Sequence, residues 1–422
     1  MNAPSPPALG AFREVPFMGV IWVVHEASKL GFQNGHPDWC NLGQGQPEIG
    51  AMAGAPPRIS SVRLRPEDHA YGPLGGLPEL REAVAEHYNR LFRKGRKSRY
   101  AAANVCVAQG GRLALSRAFA ALDKGRVGHQ LPDYTAYEDL FNLHLGRLRS
   151  VAIRTRERDG FALTPSDFAR AVSQSRLKAF LLSNPCNPTG QVIRGRDLNA
   201  LVRTAREKRC TLLLDEFYSH FIYDRTDSPV SAAAYVEDVE RDPVVLFDGM
   251  TKCFRYPGWR IGWAVGPSAM IESMARTASA MDGGPSRIAQ RAALEALEPR
   301  RADQETRALR RVFGLKRDLM VSRLTRMGIR FAAEPASTFY AWGCLDRLPA
   351  PFQDSMSFFR EALKRKVMTV PGEFFDVNPG RRRKGSSPYR KWMRFSFGPA
   401  EANLRMGLDR LEAMLKEAAP PV

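Results

Sequence analysis

The stretch Asp248-Gly249-Met250-Thr251-Lys252-Cys253-Phe254-Arg255-Tyr256-Pro257-Gly258-Trp259-Arg260-Ile261-Gly262-Trp263 decides how this chain of 422 residues is read. The apolar run Val244-Val245-Leu246-Phe247 before it, and Trp263-Ala264-Val265 with Gly266-Pro267 after it, predict two short buried strands joined by a loop. Lys252 and Arg260 share that loop with glycines. A lysine amine forms Schiff bases, and the planar guanidinium fork suits a phosphate, so the pair fits one small anionic ligand. At a free pKa of about 10.4 such an amine is mostly protonated; cations nearby, Arg255 and Arg260 among them, would lower it. For a lysine taken alone, a solvated loop position is the simpler reading. The other motifs decide.

Upstream, the same pattern of strand end followed by polar residues recurs. Cys40-Asn41-Leu42-Gly43-Gln44-Gly45-Gln46-Pro47-Glu48 reads as a tight loop, either a plain turn or one whose backbone approaches a ligand closely. Tyr71-Gly72-Pro73-Leu74-Gly75-Gly76 opens a helix near Pro78. The strand Val105-Cys106-Val107-Ala108 leads through Gln109-Gly110-Gly111-Arg112 into a helix whose first N–H groups suit a phosphate. Tyr134 follows a turn at Leu131-Pro132-Asp133; it can stack on a ring or pack in the core. Ala179-Phe180-Leu181-Leu182 runs into Ser183-Asn184-Pro185-Cys186-Asn187-Pro188-Thr189-Gly190, where two Asn-Pro steps impose an extended turn. Thr211-Leu212-Leu213-Leu214 ends on Asp215, a carboxylate that needs a cation if it is buried. Strand and helix alternate from about 105 to 266. That predicts a mostly parallel sheet with a ligand at the carboxyl ends of its strands, where these polar groups stand.

Beyond this layer, residues from about 285 to 327 predict one long Arg/Glu/Leu-rich helical stretch. A smaller α+β unit follows, containing Thr338-Phe339-Tyr340-Ala341-Trp342 and a closing helix near Ala402 to Lys416. Val15 to Leu30 has helical spacing, and the Pro-rich first 15 residues read as a mobile tail.

Composition bounds the rest. An apolar fraction of 44% and a charged fraction of 25% are those of a globular protein, and no apolar run is long enough for a membrane span. The start lacks a basic and then apolar signal segment, and the six cysteines show no CxxC pair, so a cytoplasmic chain with reduced thiols is expected. A net charge of +19 raises the question of nucleic acid. The basic residues are scattered, with one dense run at Arg381-Arg382-Arg383-Lys384, which favours a solvated surface.

Taken together, the motifs resemble the class I and II aminotransferases, which carry pyridoxal 5′-phosphate on the fold-type I scaffold. The resemblance runs from about Asn41 to the final helix and rests on Asn-Pro-x-Asn-Pro-Thr-Gly, then Asp-Glu-x-Tyr, then Lys252 with Arg260 eight residues on. It implies an α/β large domain at 61–300 around a mostly parallel seven-stranded sheet. A smaller α+β domain would be built from 301–422 together with an N-terminal arm and segment at 1–60. By the same resemblance Lys252 forms an aldimine with the cofactor and moves a proton, and Asp215 pairs with the pyridine nitrogen. Asn187 and Tyr218 bond the ring oxygen, and Tyr134 stacks on the ring. Arg260, Thr251 and the amides of Gly111 and Arg112 hold the phosphate, and Tyr71 reaches it from a second subunit of a homodimer. Arg394, with Gly45 and Asn187, grips the substrate α-carboxylate.

Three positions depart from the family pattern. Gly249 stands where a phosphate-binding serine is common, Arg255 replaces a small residue and either compensates or lines the substrate pocket, and Ser337 replaces a glycine. The reaction implied is ping-pong transfer of an amino group from an L-amino acid to a 2-oxo acid; a lyase or an oxidase on the same fold is the alternative. A DNA-binding regulator carrying such a domain is disfavoured by the short segment before the first motif. For a dicarboxylate substrate, Arg255 or Arg287 is the candidate second cation; Trp22, Trp39 and Tyr256 are candidates for an apolar pocket instead.

Overall fold

The computed structural model describes Ala11, Val15 and residues 19–223 and 229–417; most of the expected N-terminal tail lies outside the described residues. Seven strands form the central sheet: Val105–Ala108 (β1), Gly125–Leu131 (β2), Leu148–Arg154 (β3), Ala179–Ser183 (β4), Thr211–Asp215 (β5), Val244–Gly249 (β6) and Gly262–Val265 (β7). Their order is β1-β7-β6-β5-β4-β2-β3. Neighbours run parallel except that β7 is antiparallel to both β1 and β6. Strands β4, β5 and β6 are buried over almost their whole length, which is why they read as continuous apolar runs.

Helices pack on this sheet in neighbouring pairs, Gly111–Ala121 with Ser268–Met281 and Pro165–Ser175 with Gly195–Lys208. In Pro165–Ser175 the Thr164 hydroxyl accepts from Asp167 N–H and proline takes the first turn, so the start is capped; Phe168, Ala171 and Val172 form the buried stripe. The sheet order reverses direction between β4 and β2, which opens a crevice at the carboxyl ends of the strands. Because β7 is antiparallel, its first residue lies at that same edge, so Arg260 just before it arrives there too.

The expected single helical stretch is two helices, Arg287–Ala296 and Pro299–Arg326. Glu298 makes the break: its carboxylate accepts from the N–H groups of Arg300 and Arg301, and Pro299 starts the second helix. The smaller unit is an antiparallel sheet of Arg330–Phe331 (β8), Tyr340–Cys344 (β9), Val370–Pro371 (β10) and Trp392–Ser396 (β11), in the order β10-β11-β9-β8. Helices Ser355–Lys364 and Glu401–Glu417 accompany it. Cys40–Asn41 pairs in parallel with Val367–Met368, which carries the chain before β1 to residues after β9. Among the described residues no helix is long and apolar enough to cross a membrane.

Candidate active site

All but one of the seven strands of the central sheet, the edge strand β3, lead into or start just after residues that line the crevice. A cavity of about 300 Å³ opens there, and its walls include Gly45, Gly111, Arg112, Tyr134, Asn187, Asp215, Tyr218, Thr251, Lys252, Arg260 and Arg394. Every residue expected at the site except Tyr71 therefore lines one cavity. Tyr71 is fully exposed on this chain.

At the centre, Lys252 Nζ donates to the Gly45 carbonyl. Burial pushes its pKa down to about 7; Arg394 and Arg112 add to the fall, Asp215 opposes it, and Arg260 contributes behind them. Arg255 is not the source. Its side chain turns away from the cavity to Glu305 at 2.5 Å and to the carbonyls of Glu48 and Gly50, both at 2.9 Å, so none of the expectations for it holds.

The Asp215 carboxylate sits at the end of β5. Burial raises its pKa to about 6, against a hydrogen bond from Tyr137 Oη at 2.8 Å, the N–H of Phe217 and the charge of Lys252. Tyr137 escaped the sequence reading, because a tyrosine three residues after another aromatic looks like core packing. Asp133 escaped too. It accepts from the Tyr134 N–H at 2.7 Å and from the Ser183 hydroxyl, and Ser183 Oγ in turn accepts from the Asn187 N–H at 3.2 Å. The turns that present Tyr134 and Asn187 are thus tied together below the cavity.

Arg394, almost fully buried on β11, donates from Nη1 to Asn187 Oδ1 at 2.8 Å and from Nη2 to the Gly43 carbonyl at 2.6 Å. Its guanidinium lies 4.1 Å from the Tyr340 ring centroid, and its Nε is buried without a partner among the described residues. Tyr218 Oη and Tyr340 Oη are 2.7 Å apart. In the sequence Tyr340 stood out only as part of the smaller α+β unit.

At the far end, Arg112 donates from Nε and Nη2 to Tyr134 Oη at 3.1 and 3.0 Å. Arg260 lies against Gly110, where a Cβ would stand 2.5 Å from the Arg260 guanidinium. The missing hydroxyl at Gly249 has a steric reason: a Cβ there would meet the Ile261 carbonyl oxygen at 2.5 Å, because β6 and β7 close tightly beside the helix start at Gly111. Ser337 instead uses its hydroxyl, donating to the Gly190 carbonyl at 2.7 Å.

The other substrate-pocket candidates lie elsewhere. Arg287 pairs with Asp68 at 3.4 Å, Trp22 packs on Phe359 and Phe374, Trp39 packs on Phe32, and Tyr256 stacks on Trp259 under Arg58. Val20, Ile21, Leu115 and Phe217 form the apolar part of the wall. The six cysteines are all free and buried. Arg381, Arg382 and Lys384 are exposed, and Arg383 binds Asp376 at 2.5 Å.

A parallel sheet with one antiparallel strand, a lysine after β6, an aspartate ending β5 and an arginine beside a helix start define a fold-type I enzyme dependent on pyridoxal 5′-phosphate. The family model for aminotransferase class I and II matches residues 37–411. The chain belongs to that family and is a pyridoxal-phosphate-dependent aminotransferase. It is 33% identical over 353 residues to the aspartate/prephenate aminotransferase of Thermus thermophilus, covering 82% of this chain and 84% of the relative. The solved structure of a Thermus thermophilus aspartate aminotransferase with maleate superimposes with a TM-score of 0.77 at 28% identity, over 95% of this chain and 97% of that one. An aromatic aminotransferase from Pyrococcus horikoshii gives 0.75 at 26% identity, over 93% and 99%.

Proposed function

We propose that the enzyme exchanges amino groups between L-amino acids and 2-oxo acids held at their α-carboxylate by Arg394, and that dicarboxylates are among them. The observation that carries this reading is that the Lys252 amine shares one cavity with the guanidinium groups of Arg394 and Arg112, both close enough to lower its pKa. With Lys252 committed to chemistry, Arg394 to the α-carboxylate and Arg260 to the phosphate end, Arg112 is the lining cation left for a second carboxylate. A relative named for aspartate, a dicarboxylate, supports this.

The residues present fit pyridoxal 5′-phosphate. Asp215 is a buried carboxylate on the cavity wall, and a protonated pyridine nitrogen is the cation that would keep it charged. Gly111, Arg112, Thr251 and Arg260 bring the start of Gly111–Ala121 and a guanidinium to one part of the cavity wall, and such a helix start suits a phosphate. Tyr134 offers a ring face, Asn187 and Tyr218 offer polar groups for the ring oxygen, and Thr251 offers a hydroxyl. The bound cofactor supplies an electron-withdrawing ring that makes the substrate Cα–H acidic.

Everything else falls to the chain. Lys252 Nζ, with its pKa lowered to about 7, takes the Cα proton and gives it back. The Arg394 guanidinium, held by Asn187 and Gly43, meets the substrate α-carboxylate from the cavity wall. Tyr137 keeps Asp215 ionised by donating to it.

A homodimer accompanies this reading: Tyr71 is fully exposed, as a residue serving a second subunit's site would be on a lone chain. The domain division at 61–300, with 1–60 and 301–422 in the smaller unit, is supported by the pairing of Cys40–Asn41 with Val367–Met368. Six free, buried cysteines suit a reducing compartment such as the cytoplasm.

The test compares kcat/KM for dicarboxylic and monocarboxylic 2-oxo acids in the wild type and in Arg112→Ala. Loss of one charge-assisted contact lowers the dicarboxylate value about 10- to 100-fold and leaves the monocarboxylates near wild type. An equal loss for both classes would remove Arg112 from substrate selection.

A further inference from the structure

The segment from Gly43 to Gly50 supplies Gln44, Gly45 and Gln46 to the cavity wall, yet it has no regular secondary structure. Side chains from elsewhere fasten both of its ends. At the first end the Gly43 carbonyl accepts from Arg394 Nη2 at 2.6 Å, and Asn41 Oδ1 accepts from the N–H groups of Gly43 and Gln44 at 3.3 and 2.9 Å. At the other end Arg255 Nη1 donates to both the Glu48 and the Gly50 carbonyl, and Lys316 Nζ reaches the Glu48 carboxylate at 2.7 Å.

Arg255 belongs to the lysine loop itself, and its N–H donates to the Lys252 carbonyl at 3.1 Å. One residue therefore ties the catalytic lysine's backbone to the substrate-facing segment. The side chain is fully buried, and the backbone takes φ +56°, a left-handed conformation that costs a non-glycine residue. A buried guanidinium also needs a counter-charge, and Glu305 supplies it at 2.5 Å. Glu305 and Lys316 lie eleven residues, about three turns, apart on Pro299–Arg326 and so share one face of that helix. Arg58 closes the cluster, donating to the Arg255 carbonyl at 2.7 Å and lying 3.7 Å from Glu305.

We propose that Arg255 is a positioning residue that holds the 43–50 segment against the lysine loop and so sets how tightly the substrate end of the cavity binds its amino and oxo acids, without touching them. This rests on the reading of Arg394 and Gly45 as the substrate end. An ion pair serving stability alone would involve Arg255 and Glu305 equally; a tether involves the Nη1 contacts to the segment, which Glu305→Gln leaves in place.

The test uses full-length enzyme loaded with its cofactor, in the wild type, in Glu305→Gln and in Arg255→Met/Glu305→Met, where apolar groups replace both buried charges so that the protein still folds. Amide hydrogen exchange of residues 44–50 accelerates about tenfold or more in the double variant, while Leu113 to Ala118 keep their rate. With 2-oxoglutarate as the acceptor, KM rises about tenfold and kcat stays within about threefold in that variant, whereas Glu305→Gln, which strips the buried guanidinium of its counter-charge, lowers the denaturant midpoint but keeps KM and the 44–50 exchange near wild type in the folded enzyme. Unchanged exchange in the double variant overturns the proposal, and so does faster exchange with KM unmoved. Exchange is read without substrate, so failure of the wild type to use 2-oxoglutarate would count against the dicarboxylate reading, while the exchange of 44–50 would still decide on Arg255.

Discussion

Replacing Tyr137 by phenylalanine removes one hydroxyl from a fully buried site and leaves the ring packing in place. That hydroxyl donates to Asp215 Oδ2 at 2.8 Å, and Asp215 already has its pKa raised to about 6 by burial. A hydrogen bond to a charged group is worth about 1.5–3 kcal/mol. At about 1.4 kcal/mol per unit, its loss raises the Asp215 pKa by about one to two units, to about 7–8. The sign follows from burial, which favours the neutral carboxyl, and from the tyrosine, which favours the charged one. Binding of the cofactor's protonated ring requires the charged form. The assay is the dissociation constant for pyridoxal 5′-phosphate between pH 5 and 9, taken as the ratio of variant to wild type so that shared titrations cancel. The ratio is near 1 at pH 9 and climbs to about 10–100 at pH 5. A ratio that stays flat across this range would refute the role given to Tyr137.

Three further outcomes follow from the same geometry. With Lys252 at about 7, the neutral amine fraction rises from about 10% at pH 6 to about 90% at pH 8, so the rate at which the visible cofactor band grows in cofactor-free protein rises about ninefold and then levels; a rate still climbing tenfold per unit at pH 9 would mean an unperturbed lysine. On the proposed division, in which the guanidinium holds substrate and not cofactor, Arg394→Ala lowers kcat/KM on the order of 10²–10³-fold and leaves the cofactor band intact; a lost band would contradict that division. Gly249→Ser costs about 1–3 kcal/mol of stability, measured from the denaturant midpoint, because its Cβ would stand 2.5 Å from the Ile261 carbonyl oxygen; an unchanged midpoint would mean that β6 and β7 have room to part.

What the sequence revealed depended on how specialised each residue's task is. Lys252, Asp215 and Asn187 stand at or just beyond strand ends in combinations that packing does not require, so they could be picked out and their cavity anticipated; Arg394, in the middle of β11, was assigned only through the resemblance to the family. Buried apolar runs likewise marked β4, β5 and β6. Strands β2 and β3 went unmarked because Gly125–Leu131 buries His129 and Gln130 while Leu148–Arg154 is a half-exposed edge; neither has a clean apolar or alternating pattern. The break at Glu298 was hidden by a composition that is helical on both sides. Arg255 was misread for a different reason: its partner Glu305 lies 50 residues away, and only the fold decides which way a guanidinium turns. Arg287 and Tyr256, offered as pocket residues from composition alone, were drawn into local contacts with Asp68 and Trp259.

The central claim is that Lys252 carries a cofactor that accepts and returns an amino group. Its most direct test is the visible absorption spectrum of the purified enzyme, recorded with single L-amino acids and no oxo acid, and then again after a 2-oxo acid is added. The account predicts a yellow band that a particular amino acid bleaches and a 2-oxo acid restores, with no band in Lys252→Ala. Ammonia or peroxide released without any oxo acid, or a band that persists in Lys252→Ala, would contradict it.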